Sequence, residues 1–489
     1  MTIAAGGTGA TGETSAATPS PAFLTFVLIV AAFSLAADWP LLLREGDIWW
    51  HLATGDWILA HHAAPHTDPF SFSMAGQPWV AHEWLAEALM ALAFRAGGWS
   101  GLALLTAVAF AATVGIVAAR ATGRAKASVA LLLVGFVIAL LIPSLNSRPH
   151  MLAMPLVAFW TDRLLAAPET GRAPSLWLAL TMTLWANLHG GFAFGLALIV
   201  LFALEAVLEA PAAARPRAAL SWAAFGGASL AAALATPFGV EGLLFPIKLL
   251  GVQSLDRIGE WQSQNFAHFG AMEAALLGLL FLALTTSLRL SLLRALLLAA
   301  LVQMALSHVR HETLFAIVGA MLLIEPLSRL APATSPSTPF SLRSALAALP
   351  VALVVAAFRL LTPIERAEDS GTPMAALAAV PEALRAQPVL NDYDFGGYLI
   401  ANKVKPYIDG RTDLYGDAFI KRFGGFEASP AELEDALARN CIRWTIFKPD
   451  RPIVALLDEE PGWRRLFVNA QAVVHVREAP LAATKICSE

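Results

Sequence analysis

The side chains best suited to chemistry gather first between Arg44 and Trp84. This stretch holds Asp47, Asp56, Asp68, Glu83 and five of the chain's eleven histidines. In Gly46-Asp47-Ile48-Trp49-Trp50-His51, Asp47 could take the proton from an incoming hydroxyl. It could equally bind a divalent metal that orients a phosphate. The plain alternative is a Trp-flanked anchor at a membrane interface. Asp47 and His51 are four apart and share a face if the segment is helical. Further on, His82-Glu83 could supply metal ligands or a base with its orienting partner, or simply cap a helix, since Glu83 favours a first turn. Asp68, in Asp68-Pro69-Phe70-Ser71, reads as a turn initiator. Asp56, His61 and His62 read as exposed loop residues.

Other polar clusters punctuate apolar sequence. Arg148 and Arg310 each sit in a tight connection with histidines beside them: His150 in one case, His308 and His311 in the other. An Arg can bind phosphate oxygens in pairs, or snorkel to lipid headgroups. Asn187 and His189 stand in Trp185-Ala186-Asn187-Leu188-His189-Gly190-Gly191, where the glycines make the turn. They could face a shared chamber or cap carbonyls. Glu260-Trp261 lies in a long connection of the kind that often forms a lid. Near the end, Asp409, Arg411 and Asp413 in Asp409-Gly410-Arg411-Thr412-Asp413 could bind an acceptor's hydroxyls, or make Asp turns and a surface ion pair.

The elements that must hold these groups are mostly apolar. The 489-residue chain is 57% hydrophobic and 14% charged, against about a quarter charged in soluble domains. Repeated apolar runs of membrane-crossing length predict a polytopic α-helical membrane protein. Residues 1–20 read as a disordered tail, 21–362 as the transmembrane part with a large first outer loop at 44–84, and 363–489 as an α/β domain. In that last part Val389–Leu390, Pro406–Ile408, Trp444–Phe447 and Val473–Val476 read as strands and Pro430–Ala438 as a helix. Trp84–Arg95 is apolar but too short to cross, and Gly97-Gly98 stops it.

Basic connections at Arg120/Arg124/Lys126, Arg163/Arg172, Arg215/Arg217, Arg289/Arg294 and Arg329/Arg343 are placed in the cytoplasm. Eleven crossings result, with twelve or thirteen if Trp84–Arg95 also crosses. The N-terminus is then inside and the α/β domain outside. The polar clusters consequently fall on the outer face, where ionisable groups near membrane depth mark a site. Cys441 and Cys487 could pair in an extracytoplasmic domain, or remain two thiols. A net charge of −4 without a basic stripe gives no reason to expect nucleic acid. There is no phosphate-binding Gly-Lys loop, dinucleotide fingerprint, zinc-ligand spacing or nucleophile elbow.

The early acidic residue Asp47 in a large first loop, the short segment Trp84–Arg95 running into Gly97-Gly98-Trp99-Ser100-Gly101, the Arg148-Pro149 pair and the outer C-terminal domain together resemble the GT-C superfamily of integral membrane glycosyltransferases. Relatives include oligosaccharyltransferases, protein O-mannosyltransferases and lipid A aminoarabinose transferases. The resemblance implies a polyprenyl-phosphate-linked sugar donor, an acceptor glycan, lipid or protein, transfer on the outer face of a bacterial inner membrane, and often a divalent metal, Mg or Mn. Asp47 matches the family's acidic residue in loop one; Ile48-Trp49 follows it, so no compact Asp-x-Asp pair is present. The expectation is an inverting glycosyltransferase with Asp47 as catalytic residue and Arg148, Arg310, His308 and His311 on the donor phosphate. His51, His82, Glu83, Asn187, His189, Glu260, Asp409, Arg411 and Asp413 line the chamber, and Asp47 with Glu83 would hold any metal. The competing reading is a non-catalytic flippase or assembly subunit for a lipid-linked glycan.

Overall fold

Helix starts follow from local capping. Ser20 accepts the Phe23 amide at 3.2 Å and Pro21 opens α1 (Pro21–Ala37), the favoured order for a helix entry. In the computed structural model, which describes residues 20–170, 172–254, 259–333 and 342–478, the membrane part continues with α2 (Ile48–His61), α3 (Trp84–Arg124), α4 (Ala127–Leu141), α5 (Pro149–Thr170), α6 (Leu180–Leu188), α7 (Phe192–Glu209), α8 (Arg215–Ala233), α9 (Val240–Leu250), α10 (Ala271–Thr285), α11 (Leu292–Ser307), α12 (Glu312–Leu314), α13 (Ala320–Leu330) and α14 (Leu342–Leu361). A π-helical turn at Phe315–Gly319 joins α12 to α13. Residues 1–19 of the expected tail, and Cys487, lie outside the described residues.

Among the described residues, four helices are long and apolar enough to cross a membrane: Trp84–Arg124, Ala127–Ser144, Phe192–Glu209 and Val309–Leu330. Shorter apolar helices stand among them, and the helical part is that of a membrane protein. α3 is its spine, packed on α1, α2 and α5. The expected stop at Gly97-Gly98 is a kink and not an end. Gly98 takes φ 57°, ψ −144°, a conformation that a residue with a Cβ avoids. The helix turns there and continues to Arg124. Its first section can therefore lie along the loop that holds Asp47 while its second enters the apolar core.

The C-terminal part contains α15 (Met374–Ala379), α16 (Glu382–Arg385), β1 (Val389–Asn391), α17 (Gly396–Ala401), α18 (Thr412–Gly425), α19 (Pro430–Arg439), β2 (Trp444–Phe447), α20 (Pro452–Glu459), β3 (Trp463–Val468) and β4 (Val473–Arg477). The sheet order is β1-β2-β4-β3, with β1 and β2 parallel and the other pairs antiparallel. Two apolar clusters, one around Tyr407 and Phe447 and one around Phe395 and Trp444, form its core. α19 starts as a helix should: Ser429 accepts the Glu432 amide and Pro430 follows the cap.

Pro406–Ile408 is not a strand. The Asn391 side chain does the work of a neighbouring strand, accepting from the Tyr407 amide and donating to the Ile408 carbonyl, both at 2.8 Å. A buried segment satisfied by one amide side chain has the composition of a strand without a ladder. The strand at Trp463–Val468 is an edge strand, half exposed and carrying two adjacent arginines, so it lacks the apolar run by which the buried strands are recognised.

Candidate active site

Asp47 stands at the N-cap of α2 with its side chain outside the helical ladder. One turn on, Trp50 donates its indole N–H to Asp47 Oδ1 at 3.0 Å. The other carboxylate oxygen lies 3.1 Å from Arg148 Nη2. Arg148 is fixed by the short link between α4 and α5, where Pro149 opens the next helix. Its Nη1 donates to Glu260 Oε2 at 2.9 Å, and Glu260 Oε1 accepts from Arg310 Nη1 at 3.2 Å. Four segments far apart in sequence thus contribute to one chain of charges, Asp47, Arg148, Glu260 and Arg310. Their side chains remain 20–30% exposed, so an incoming ligand can reach them.

The two guanidinium groups set the electrostatics. Burial alone would raise Glu260, but Arg148 and Arg310 outweigh it and hold its pKa at about 2. For Asp47 burial wins: its pKa stays above the ordinary value, with Arg148 and the Trp50 hydrogen bond only partly offsetting. An ionised Glu260 beside a more basic Asp47 separates a permanent counter-ion from a group able to take a proton. The Arg310 guanidinium sits 4.3 Å from the Trp261 ring centroid, and the His308 and His311 rings continue that wall. His308 donates from Nδ1 to the Trp261 carbonyl at 2.6 Å.

A second polar group adjoins the first. Glu83 Oε1 lies 3.7 Å from His82 Nε2 and 3.5 Å from His189 Nε2, and the His150 ring is 6.4 Å from that of His189. His189 Nδ1 accepts the Gly191 amide at 2.9 Å, so its Nε2 carries the proton and faces the carboxyl. Burial pushes Glu83 up to about 8, against the pull of Arg148 and Arg310, and pushes His82 down to about 4. Glu83 is therefore a neutral acid at neutral pH. Its folded pKa exceeds the unfolded one, so stability present at acid pH is lost as pH rises towards 8. Glu83→Gln should remove this slope, raising stability at pH 8.5 by roughly 2 kcal/mol after allowance for partial solvation. Thermal melts in detergent from pH 5 to 9 measure it; parallel slopes for the two proteins would refute the assignment.

Several expected chamber residues are elsewhere. His51 is 1% exposed and its Nδ1 meets Glu87 Oε1 at 3.1 Å beneath the Trp50 ring. It parts from Asp47 because α2 turns that position inward against α3. Asn187 is spent on structure: it accepts from Trp84 Nε1 at 2.7 Å and donates to the Thr183 and Ala235 carbonyls. Asp409 and Arg411 do not face an acceptor. Both are buried, and Arg411 binds Asp409 with two nitrogens and Asp68 with a third at 2.6–2.8 Å. Asp413 points towards loop one, and burial pushes its pKa to about 6.

The residues present do not fit a divalent ion. Asp47 is occupied by Trp50 and Arg148, and Glu260 by Arg148 and Arg310. Glu83, expected to share a metal with Asp47, lies instead with two histidines. Among the described residues no three His, Cys, Asp or Glu side chains come together as a metal site. Cationic guanidinium groups stand where a cation would bind a phosphate.

Comparison with known proteins agrees on architecture. No protein-family model and no curated protein matches the sequence. The structure superposes on the archaeal oligosaccharyltransferase AglB from Archaeoglobus fulgidus in complex with an inhibitory peptide and a dolichol-phosphate, with a TM-score of 0.54 at 12% identity. The match covers 87% of this chain and 69% of that one. The chain shares the fold of that oligosaccharyltransferase. A second structure, the A. fulgidus oligosaccharyltransferase tethered to an acceptor peptide containing the NVT sequon, gives 0.53 at 12% identity over 87% and 68% of the two chains. ArnT from Cupriavidus metallidurans bound to undecaprenyl phosphate gives 0.48 at 13% identity over 94% and 99%.

Some site residues carry no sequence signal until the fold is known. Asp68 finds Arg411 across 343 positions. Gly410 backs directly onto the site: a Cβ there would come 2.0 Å from Asp47 Oδ1 and 2.9 Å from Trp50 Nε1. Gly410→Ala should therefore displace the carboxylate and cost about 1–3 kcal/mol, read as a lower melting temperature. A variant as stable as the parent would show that the α/β part does not seat against Asp47. Glu87 does have a signal, a lone carboxyl within the apolar run Trp84–Arg95.

Proposed function

We propose that this chain is a membrane glycosyltransferase that moves a sugar from a polyprenyl-phosphate-linked donor to an envelope acceptor on the outer face of the membrane. The observation carrying the reading is the accessible ion-pair chain from Asp47 through Arg148 and Glu260 to Arg310. It offers a base and an anion clamp within one cleft of a GT-C fold. The dolichol-phosphate in the AglB complex supports a lipid-phosphate donor of the same general kind.

In this scheme the donor phosphate competes with Glu260 for Arg148 and Arg310, and His308 and His311 close the pocket beside it. Asp47 takes the acceptor's hydroxyl proton as that oxygen attacks the anomeric carbon. The bond from carbon to the phosphate oxygen breaks, and its electrons leave with the lipid phosphate held by the two arginines. Attack in line inverts the anomeric centre. Glu83, held by His82 and His189, borders the pocket as a neutral acid. No step needs a metal. The reading places the chain in a bacterial inner membrane with eleven crossings, the N-terminus inside and residues 363–489 outside.

The test compares a deletion strain, carrying either the wild-type gene or Asp47→Asn, by mass spectrometry of glycolipids, surface polysaccharides and glycoproteins. A sugar should disappear on deletion and return only with the wild type. Unchanged profiles for all strains, or full rescue by the variant, would reject the proposal.

A further inference from the structure

A second concentration of charge lies at the other end of the helices. α5, α7 and the helix Val309–Leu330 begin beside Arg148, His189 and Arg310 and run away from them. The 18 residues of α7 span roughly 27 Å. At that far end is a cavity of about 530 Å³, lined by Arg120, Arg124, Arg289, Arg294 and Arg329 with three glutamates. The lining thus has more cations than anions, and the arginines come from α3, from α11 with the connection before it, and from α13.

Part of this charge is committed. Buried Glu205 accepts from Arg294 Nε at 2.9 and 3.0 Å and from the Ser291 hydroxyl at 2.5 Å. Arg120 donates to Asp162 at 2.7 Å. Two arginines are available. Arg289 is exposed and has no hydrogen-bond or ion-pair partner among the described residues. Arg329 meets Glu325 only at 3.4 Å and its side chain is 70% exposed, a pairing of little strength. A neighbouring cavity of about 710 Å³ shares Arg120 and Arg124 and is walled mainly by apolar side chains of α1 and α3, among them Ile29, Ala112 and Ile116.

We infer that these adjoining cavities seat an anionic membrane phospholipid. Its phosphate bridges Arg289 and Arg329, and its acyl chains follow the apolar wall between α1 and α3. Guanidinium groups pair with phosphate oxygens through parallel N–H donors, and basic pockets between membrane helices recognise anionic headgroups. The apolar cavity next to the cationic one selects a lipid over free phosphate. The site does not depend on the transfer reaction, so either can fail alone.

The full chain, purified in detergent, should be examined by native mass spectrometry with phosphatidylglycerol and phosphatidylcholine of matched acyl chains. Wild type should retain phosphatidylglycerol roughly tenfold better. Arg289→Ala/Arg329→Ala should bring the two lipids to parity. Arg289→Lys/Arg329→Lys should keep most of the preference, and Arg439→Ala, an exposed change elsewhere, should keep all of it. Both pocket arginines are exposed, so the variants should melt as the parent does; should the alanine pair melt early, the lysine pair decides. Equal retention of both lipids by wild type, or an undiminished preference in the alanine pair, would overturn the inference. So would displacement of phosphatidylglycerol by millimolar inorganic phosphate, which would mark a free-anion site.

Discussion

Asp47→Asn should lower sugar transfer by about 10²–10⁴-fold, the usual cost of losing a general base, while leaving the protein folded. The amide keeps the shape of the carboxylate and can still accept the Trp50 indole N–H. Arg148 keeps its second partner, Glu260, at 2.9 Å, so no guanidinium is stranded. What disappears is the capacity to take a proton. The same group should govern the acid limb of the pH profile. Burial holds Asp47 above its ordinary pKa of 3.8, so kcat/KM should fall as pH drops through a value higher than that. Asp47→Asn should abolish the limb along with the rate. Circular dichroism and melting in detergent report the fold separately. A variant that is folded and fully active, or that keeps the acid limb, would remove Asp47 from the chemistry.

The second large effect is on stability. Arg411→Met should destabilise the protein by about 3–5 kcal/mol, the cost of breaking a buried ion pair from one side. Arg411 lies between the rings of Phe70 and Trp79, 5.3 and 4.7 Å from their centroids. Its side chain and those of Asp68 and Asp409 are fully buried. The remaining carboxylate positions are also filled: Tyr415 donates to Asp409 at 2.7 Å and Ser71 to Asp68 at 2.5 Å. Methionine fills much of the volume and leaves two buried carboxyl groups without a cation. Denaturant or thermal unfolding measures this loss. The exposed Arg439 pair with Asp435 gives the control, where alanine should cost under about 1 kcal/mol. A loss as small as the control's would show that the bolt between loop one and the C-terminal part is dispensable.

These two sites differ in how visible they are in the amino-acid sequence. Asp47 and Arg148 stand out because charge is rare at the ends of apolar runs, and burying or half-burying it needs a reason. Arg310 stands out for the same reason, whereas Glu260 lies in a long polar connection whose contacts the sequence does not reveal. Asp409 and Arg411 have the same composition of charge and glycine, yet the structure uses them as a buried tie. A turn with Asp, Gly and Arg looks alike whether it faces a ligand or another loop. His51 illustrates a related ambiguity: helical spacing puts it near Asp47, but the contact between α2 and α3 turns its ring towards Glu87.

Local sequence was sufficient wherever a property depends on neighbours in the chain. Hydrophobic runs, the helix beginning at Pro430 and strands β2 and β4 all follow from side-chain period within a few residues. Which polar groups meet was settled only by the tertiary fold. Asp47, Arg148, Glu260 and Arg310 come from four connections, and Asp68 reaches Arg411 across 343 positions. Those pairings depend on where the helices and the sheet dock, and coulombic attraction acts through space without leaving a period in the chain.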